Sequence, residues 1–284
     1  MVEVPDKEYK KFWDLLKEKT NLEDIETRST KVVREYENKN EKITESLVKE
    51  KMSEILIGCI ILEKEKWELT KTSIRQNWID ILNGHESEFP TITSIVNNAA
   101  KHVSEESNNV KKIHAAIRDT ESLSSRISTS LDQSAKNRAG KSFEFHIKNC
   151  INKIGMTYES QVEVHNEKPV YDLVFPNKQH LENNGRGSAV MENQSTLKDR
   201  FRLTQGRGKN VRLDGKFLAT GSGLGIVVKK DKKDLTKKKL AELKKNNVIL
   251  IVFKKVAEEK NDSYVISFED FVNNEYPRFS KMWN

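Results

Sequence analysis

The feature that most constrains this fold is a change of hydrophobic period near residue 155. Before it, apolar residues recur at helical spacing with Glu and Lys between them: Phe12, Leu15 and Leu16, then Ile43 and Leu47, then Ile55, Leu56, Cys59 and Ile60. Trp67, Ile74, Trp78, Ile81 and Leu82 continue the pattern until Asn83-Gly84 breaks it. Pro90 opens a stretch through Ile95, Val96, Ala99 and Val103, and the polar residues 104–109 separate it from Val110 to Ile127. From Ser134 a new helix is expected, with Phe143, Ile147, Cys150, Ile151 and Ile154 on one face and Gly155 as its C-cap.

Beyond Gly155 the apolar runs are short and strand-like: 161–164, 169–175, 189–196, 217–220, 225–228, 248–253 and 264–267, with one helix at Leu235 to Lys245. This order predicts an α/β (α+β) protein with a central mixed sheet flanked by helices, preceded by an all-helical subdomain. We place the boundary between residues 1–130 and 131–284. A chain of 284 residues suffices for one large domain with such an accessory part.

Four Trp and eleven Phe in a chain with 36% hydrophobic residues exclude global disorder, although 33% of residues are charged. Cys59 and Cys150, the only cysteines, both lie in apolar helical patterns and read as buried free thiols rather than a disulfide. No apolar run has the length of a membrane span, and the charged N-terminus has no signal-peptide core, so a cytoplasmic protein without a membrane partner is expected.

The net charge of +7 is unevenly spread. Arg186 to Lys260 carry 20 Lys and Arg against 8 Asp and Glu, whereas residues 1–185 carry 28 against 31. A basic excess confined to one part of the chain is the footprint of a polyanion binder, and nucleic acid fits better than a lipid surface because no exposed apolar helix face opposes the basic residues. The lysine-rich run Lys229 to Lys239 is most simply a solvated edge, with phosphate contact as the functional reading.

Within the sheet region Asp172 interrupts the apolar strand Val170-Tyr171-Asp172-Leu173-Val174-Phe175, a costly place for a charge that is not used. Glu192 and Gln194, in Val190-Met191-Glu192-Asn193-Gln194, share one strand face, and a hairpin would bring Asp172 to them. Converging carboxylates suit Mg²⁺, which serves phosphodiester cleavage. Glu144, in the preceding helix, is the candidate third acid. Singly each acid reads as a salt-bridge partner; as an ordered set in the basic half they read as a metal site. Thr196 with Asp199 resembles a capping box, so a helix is expected to start there and project Lys198, Asp199 and Arg200, whose chemistry suits reading G·C pairs in the major groove.

The ordered segments Arg138-Ala139-Gly140-Lys141-Ser142-Phe143-Glu144, Tyr171 to Pro176 and Ser195 to Arg202, followed by Ile266 to Phe271, resemble the EcoRII C-terminal domain and its relatives cutting CCGG, CCNGG and CCWGG sites. The resemblance covers roughly residues 134–272. It implies a restriction-endonuclease-like core of the PD-(D/E)xK kind, a type II enzyme cutting double-stranded DNA with Mg²⁺, and at least a homodimer. The catalytic places fall on Glu144, Asp172 and Gln194, with Glu192 supplying a further metal carboxylate. C·G readout falls on Lys198, Asp199 and Arg200, with Arg202, Arg207 and Lys209 as further DNA contacts. Two departures stand: Gln194 occupies the usual Lys position, and Arg207 and Gly208 lie where the family has a further Glu. The pattern becomes D…ExQ, as in BglII-type nucleases, and Gln can orient a water without supplying charge. A non-specific or repair nuclease of the same fold, and a DNA-binding module without catalysis, are the alternatives.

Overall fold

The computed structural model describes residues 3–20, 22–164, 167–197, 212–224 and 235–283. The chain divides into two compact units: Met1–Asp24 with Lys64–Arg138, and Ile25–Glu63 with Ala139–Asn284. These units do not follow the 130/131 boundary. The reason is packing: Val32, Val33, Ile55, Leu56 and Cys59, all from the N-terminal helical part, enter the same apolar cluster as the sheet residues Leu173, Met191 and Phe217.

The first unit is helical. It comprises α1 (Asp6–Lys19), the later part of α3 (Glu45–Leu82), α4 (Pro90–Glu105) and the earlier part of α5 (Asn109–Lys153). Phe12 and Leu16, one turn apart on α1, meet Trp67, Ile74, Phe89, Ile92, Leu123, Ile127 and Leu131 in its core. Gly84, at φ +87°, ends α3 where the sequence break lies, and Pro90 stands in the first turn of α4, where a missing N–H costs nothing.

The second unit holds α2 (Ile25–Lys39), the start of α3, the end of α5 and a six-stranded sheet of order β1-β2-β3-β4-β5-β6. The strands are β1 (Glu159–Val164), β2 (Glu167–Phe175), β3 (Ala189–Gln194), β4 (Gly215–Thr220), β5 (Ile249–Val252) and β6 (Val265–Ser267). The first three are antiparallel, and β3 to β6 run parallel, so the sheet is mixed as expected. Helices α6 (Lys178–Glu182), α7 (Lys237–Lys245) and α8 (Lys254–Lys260) lie between strands, and a helical run from Phe268 to Ser280 closes the chain. Phe175, Phe217, Phe271 and Phe279 pack ring against ring, with Phe217 and Phe271 centroids 5.0 Å apart. The strand expected at 225–228 lies outside the described residues.

Two details depart from the sequence pattern. Helix α5 runs unbroken past Ser134, because the polar stretch there changes which residues are buried and not the helical period. Helix α3 has a non-helical residue at Lys51 (φ −137°, ψ 33°), and just after it Ser53 gives its backbone N–H and its hydroxyl to the Glu269 carboxylate at 2.7 and 2.8 Å. That carboxylate satisfies a donor the interruption would otherwise orphan. Both cysteines are free and buried, and burial raises both thiols, Cys59 to about 12. Among the described residues no helix is long and apolar enough to cross a membrane.

Candidate active site

The residues in question lie where β1, β2 and β3 run side by side and Glu144 reaches Gln161 from α5. In β2 the pairings Leu173↔Met191, Val174↔Val190 and Phe175↔Ala189 set an antiparallel register, and continuing it by one residue places Asp172 opposite Glu192. The hairpin arrangement on which the reading of Asp172 depended is therefore present. Asp172 is half-buried, and its Oδ2 accepts the backbone N–H of Asn193 at 2.7 Å, which fixes the carboxylate against β3.

Strand β3 is buried along its whole length, including Glu192, Asn193 and Gln194 at 5%, 8% and 6% exposure. It lies inside the sheet, paired to β2 on one side and in parallel to β4 on the other, with Glu192 beside Leu218 and Gln194 beside Thr220. Gln194 Oε1 and both side-chain polar atoms of Asn193 are buried without a hydrogen-bond partner. Three consecutive polar residues in a buried strand, two with unmet hydrogen-bonding capacity, are a concentrated desolvation cost.

Glu144 reaches the site from α5. Its Oε1 accepts from Lys148 Nζ one turn on at 2.6 Å and from Gln161 Nε2 at 2.9 Å. The same Gln161 nitrogen lies 3.3 Å from Asp172 Oδ1. One amide thus joins two of the acids read from the sequence, although 28 positions separate them in the chain. Neither Gln161 nor Lys148 was singled out in the sequence. Gln161 was only the first residue of a strand, and its place opposite Asp172 follows from the β1–β2 register; Lys148 shows only as a basic residue four positions after Glu144.

Among the described residues no group of three His, Cys, Asp or Glu side chains is gathered closely enough to hold a metal ion. The oxygen donors that do converge are the carboxylates of Asp172 and Glu144, with Glu192 opposite Asp172 in register. Of the DNA-reading residues expected from the sequence, Lys198, Asp199, Arg200, Arg202, Arg207 and Lys209 all lie outside the described residues. Their approach is described: the Leu197 N–H donates to Ser222 Oγ at 3.1 Å, and Lys239 Nζ donates to the Leu197 carbonyl at 3.2 Å. Ser222 sits in the glycine-rich turn after β4, which is a tight turn with Gly223 at φ +112°. Lys239, from the lysine-rich run, therefore spends its amine on protein.

The family model for the EcoRII C terminal matches residues 102–272. The chain belongs to this family. It is accordingly a type II restriction endonuclease, a hydrolase that cleaves DNA site-specifically and therefore binds it. Solved structures with the same fold include "Metal-depleted Ecl18kI in complex with uncleaved, modified DNA", with 16% identity, a TM-score of 0.75, and 97% of this chain and 86% of that one covered. A second Ecl18kI structure, "Metal-depleted Ecl18kI in complex with uncleaved DNA", gives 20% identity and a TM-score of 0.63 over the same shares. A "Restriction endonuclease PspGI-substrate DNA complex" gives 14% identity and a TM-score of 0.56, covering 89% of this chain and 93% of that one. No curated protein matches the sequence.

Proposed function

We propose that this endonuclease makes Mg²⁺-dependent double-strand cuts at a short palindromic or pseudo-palindromic site containing CC/GG, using Asp172, Glu192, Glu144 and Gln194. The observation that carries the reading is the tie between Glu144 and Asp172 through Gln161, with buried Glu192 and Gln194 on the adjoining strand. The donor set suits the ion: all donors are hard oxygens, Mg²⁺ needs only one or two carboxylates beside waters and a substrate phosphate, and Gln194 Oε1 is an orphaned oxygen on the strand face of Glu192. The Ecl18kI structures were obtained metal-depleted with DNA uncleaved, which favours a metal requirement here too.

When bound, the cation supplies Lewis-acid stabilisation of charge on the scissile phosphate. Asp172 and Glu192 hold it, Asp172 being kept in place by the Asn193 N–H. Glu144 completes the negative face directly or through a water. The Gln194 carbonyl accepts a hydrogen bond from the attacking water and orients it, without the charge a lysine would bring. Lys198, Asp199 and Arg200 read C·G edges, Arg by bidentate bonding to guanine and Asp by accepting from cytosine; Arg202, Arg207 and Lys209 hold the backbone. A two-fold site calls for a homodimer, and the exposed apolar stripe Val110, Ile113 and Ile117 on α5 of the helical unit is a surface that dimerisation would cover.

The test is digestion of a sequenced plasmid with Mg²⁺ followed by end mapping. Discrete fragments with ends at a CC/GG site are expected. A smear would assign a non-specific nuclease, and specific binding without cleavage under any divalent ion would assign a module without catalysis. Sedimentation of the purified chain is expected to give a dimer.

A further inference from the structure

Gln161 combines three properties seldom found together. Its backbone sits at φ +56° within β1, a left-handed conformation that glycine adopts freely and other strand residues avoid. Its side-chain amide lies between two carboxylates, 2.9 Å from Glu144 Oε1 and 3.3 Å from Asp172 Oδ1. It is also exposed, so the amide has room to turn. A residue held in a disfavoured conformation by its surroundings is characteristic of functional sites, and here the side chain is what glycine at this position would lack.

The amide end has two faces of opposite character. The NH₂ group donates to anions, as it does here; the carbonyl oxygen would be repelled by the same carboxylates unless a cation stood between them. Exchanging one face for the other needs rotation about a single terminal torsion, which for an amide is broad and nearly two-fold. Lys148 already shares Glu144 Oε1 with Gln161, so Glu144 stays oriented toward the site while the amide turns.

We infer that Gln161 is an amide clamp of the cation site: its NH₂ group holds Glu144 and Asp172 together before loading, and its carbonyl oxygen faces the divalent ion afterwards. The inference rests on the metal site proposed above and adds to it a ligand outside the acid set. Without Gln161 one oxygen donor is lost from the filled site, and this loss outweighs the repulsion that the empty site is left with, so cation binding weakens.

The test uses the full chain without DNA, with Tb³⁺ luminescence as the direct probe and Ca²⁺ as competitor, beside thermal melting. Gln161→Leu is expected to weaken ion binding by about tenfold, the scale of lost supporting contacts at metal sites. Gln161→Glu, which keeps an oxygen donor and adds charge, is expected to bind at least as tightly as wild type. Gln161→Gly is expected to melt at or above the wild-type temperature, its backbone being relieved, yet to bind the ion as poorly as Gln161→Leu. Asp172→Ala separates the two readings. If it loses ion binding while Gln161→Leu binds as wild type or more tightly, the clamp is overturned and the site stands. If Asp172→Ala also binds as wild type, the metal site itself is gone and the clamp with it.

Discussion

The two compact units differ in what they bury. Among the described residues every buried polar or charged side chain, Arg28, Ser53, His146, Glu192, Gln194 and Glu269 among them, belongs to the sheet-containing unit. The helical unit has a core built from apolar and aromatic residues and keeps polar contacts such as Tyr9 with Ser130 at 2.9 Å and Arg126 with Asp6 at 2.7 Å, where at least one partner is accessible to water. Such contacts contribute little, so the helical unit is held by hydrophobic burial. The sheet unit bears desolvation costs in two forms. At Glu269 and Glu63 the buried charge is met by donors from other helices, which is scaffolding. On β3 the Asn193 amide and the Gln194 carbonyl are left unmet on two neighbouring residues of one strand.

That division is most exposed to test at the acids. Asp172→Ala and Glu192→Ala are each expected to lower the cleavage rate by about a thousandfold or more, since the cation they are proposed to hold would be worth several kcal/mol of transition-state stabilisation. DNA binding should persist or tighten, because a negative charge near phosphates is removed. Glu144→Ala should cost less, its role running through a water or through Gln161. Cleavage assays and binding in Ca²⁺ decide it: full activity in either of the first two variants removes the site from this face of the sheet.

Gln194→Ala sharpens the contrast between scaffold and site. Cleavage should fall by about a hundredfold, the scale of a lost orienting group. Stability should hold or rise, because a buried oxygen without a partner is deleted. Gln194→Lys should keep part of the activity. Paired measurements of rate and urea midpoint settle this, and a variant that loses stability but not activity would make Gln194 a structural residue.

Much of this was legible in the sequence, because period and punctuation carry it. The helical half, the break at Asn83-Gly84, the start at Pro90, the cap at Gly155 and all but one of the expected strands were read from residue types; the remaining strand lies outside the described residues. Antiparallel pairing of β2 with β3 was the condition, readable from the sequence, for Asp172 to meet Glu192, and the register meets it. What was not legible depends on tertiary contact. The sequence says nothing of α2 packing with the sheet core, since its face looks like any other amphipathic helix. Gln161 carries no local signal, because its importance arises from a pairing with a residue eleven positions away and from a backbone conformation that Gln does not advertise.

On the scaffold side, Glu269→Ala strips the acceptor from the Ser53 N–H and hydroxyl beside the interruption in α3, leaving a buried donor unmet. A loss of about 3 kcal/mol in unfolding free energy is expected. Catalytic rate per folded molecule should not change. A loss under about 1 kcal/mol would show that the helix end finds another acceptor, and the distinction drawn between met and unmet buried groups would weaken.

The smallest effect expected concerns Glu63, the other met charge, and it is visible only through pH. Burial pulls this carboxyl up, but the neighbouring His146 ring, the hydrogen bond from Ser29 and the charge of Arg28 outweigh it, so the group is held below its ordinary value of 4.5. Ser29 Oγ donates at 2.7 Å, Arg28 Nε lies 3.1 Å from the second oxygen, and His146 Nε2 is 3.5 Å away. A carboxyl depressed in the folded state binds its proton more readily when unfolded, so its stabilisation is complete above the ordinary value and disappears as pH falls through the folded one. Glu63→Gln should therefore be less stable than wild type at pH 7 by about 2 kcal/mol, the scale of hydrogen bonds to a charged group. The gap should close as pH falls below 4.5 and wild-type Glu63 itself becomes protonated. Urea unfolding of both proteins at pH 7, 5.5 and 4 gives the gap directly. An equal gap at all three would mean that the variant disturbs packing among α2, α3 and α5 rather than removing a charge, and Glu63 would then belong with the apolar scaffold instead of with the charges that this unit buries and satisfies.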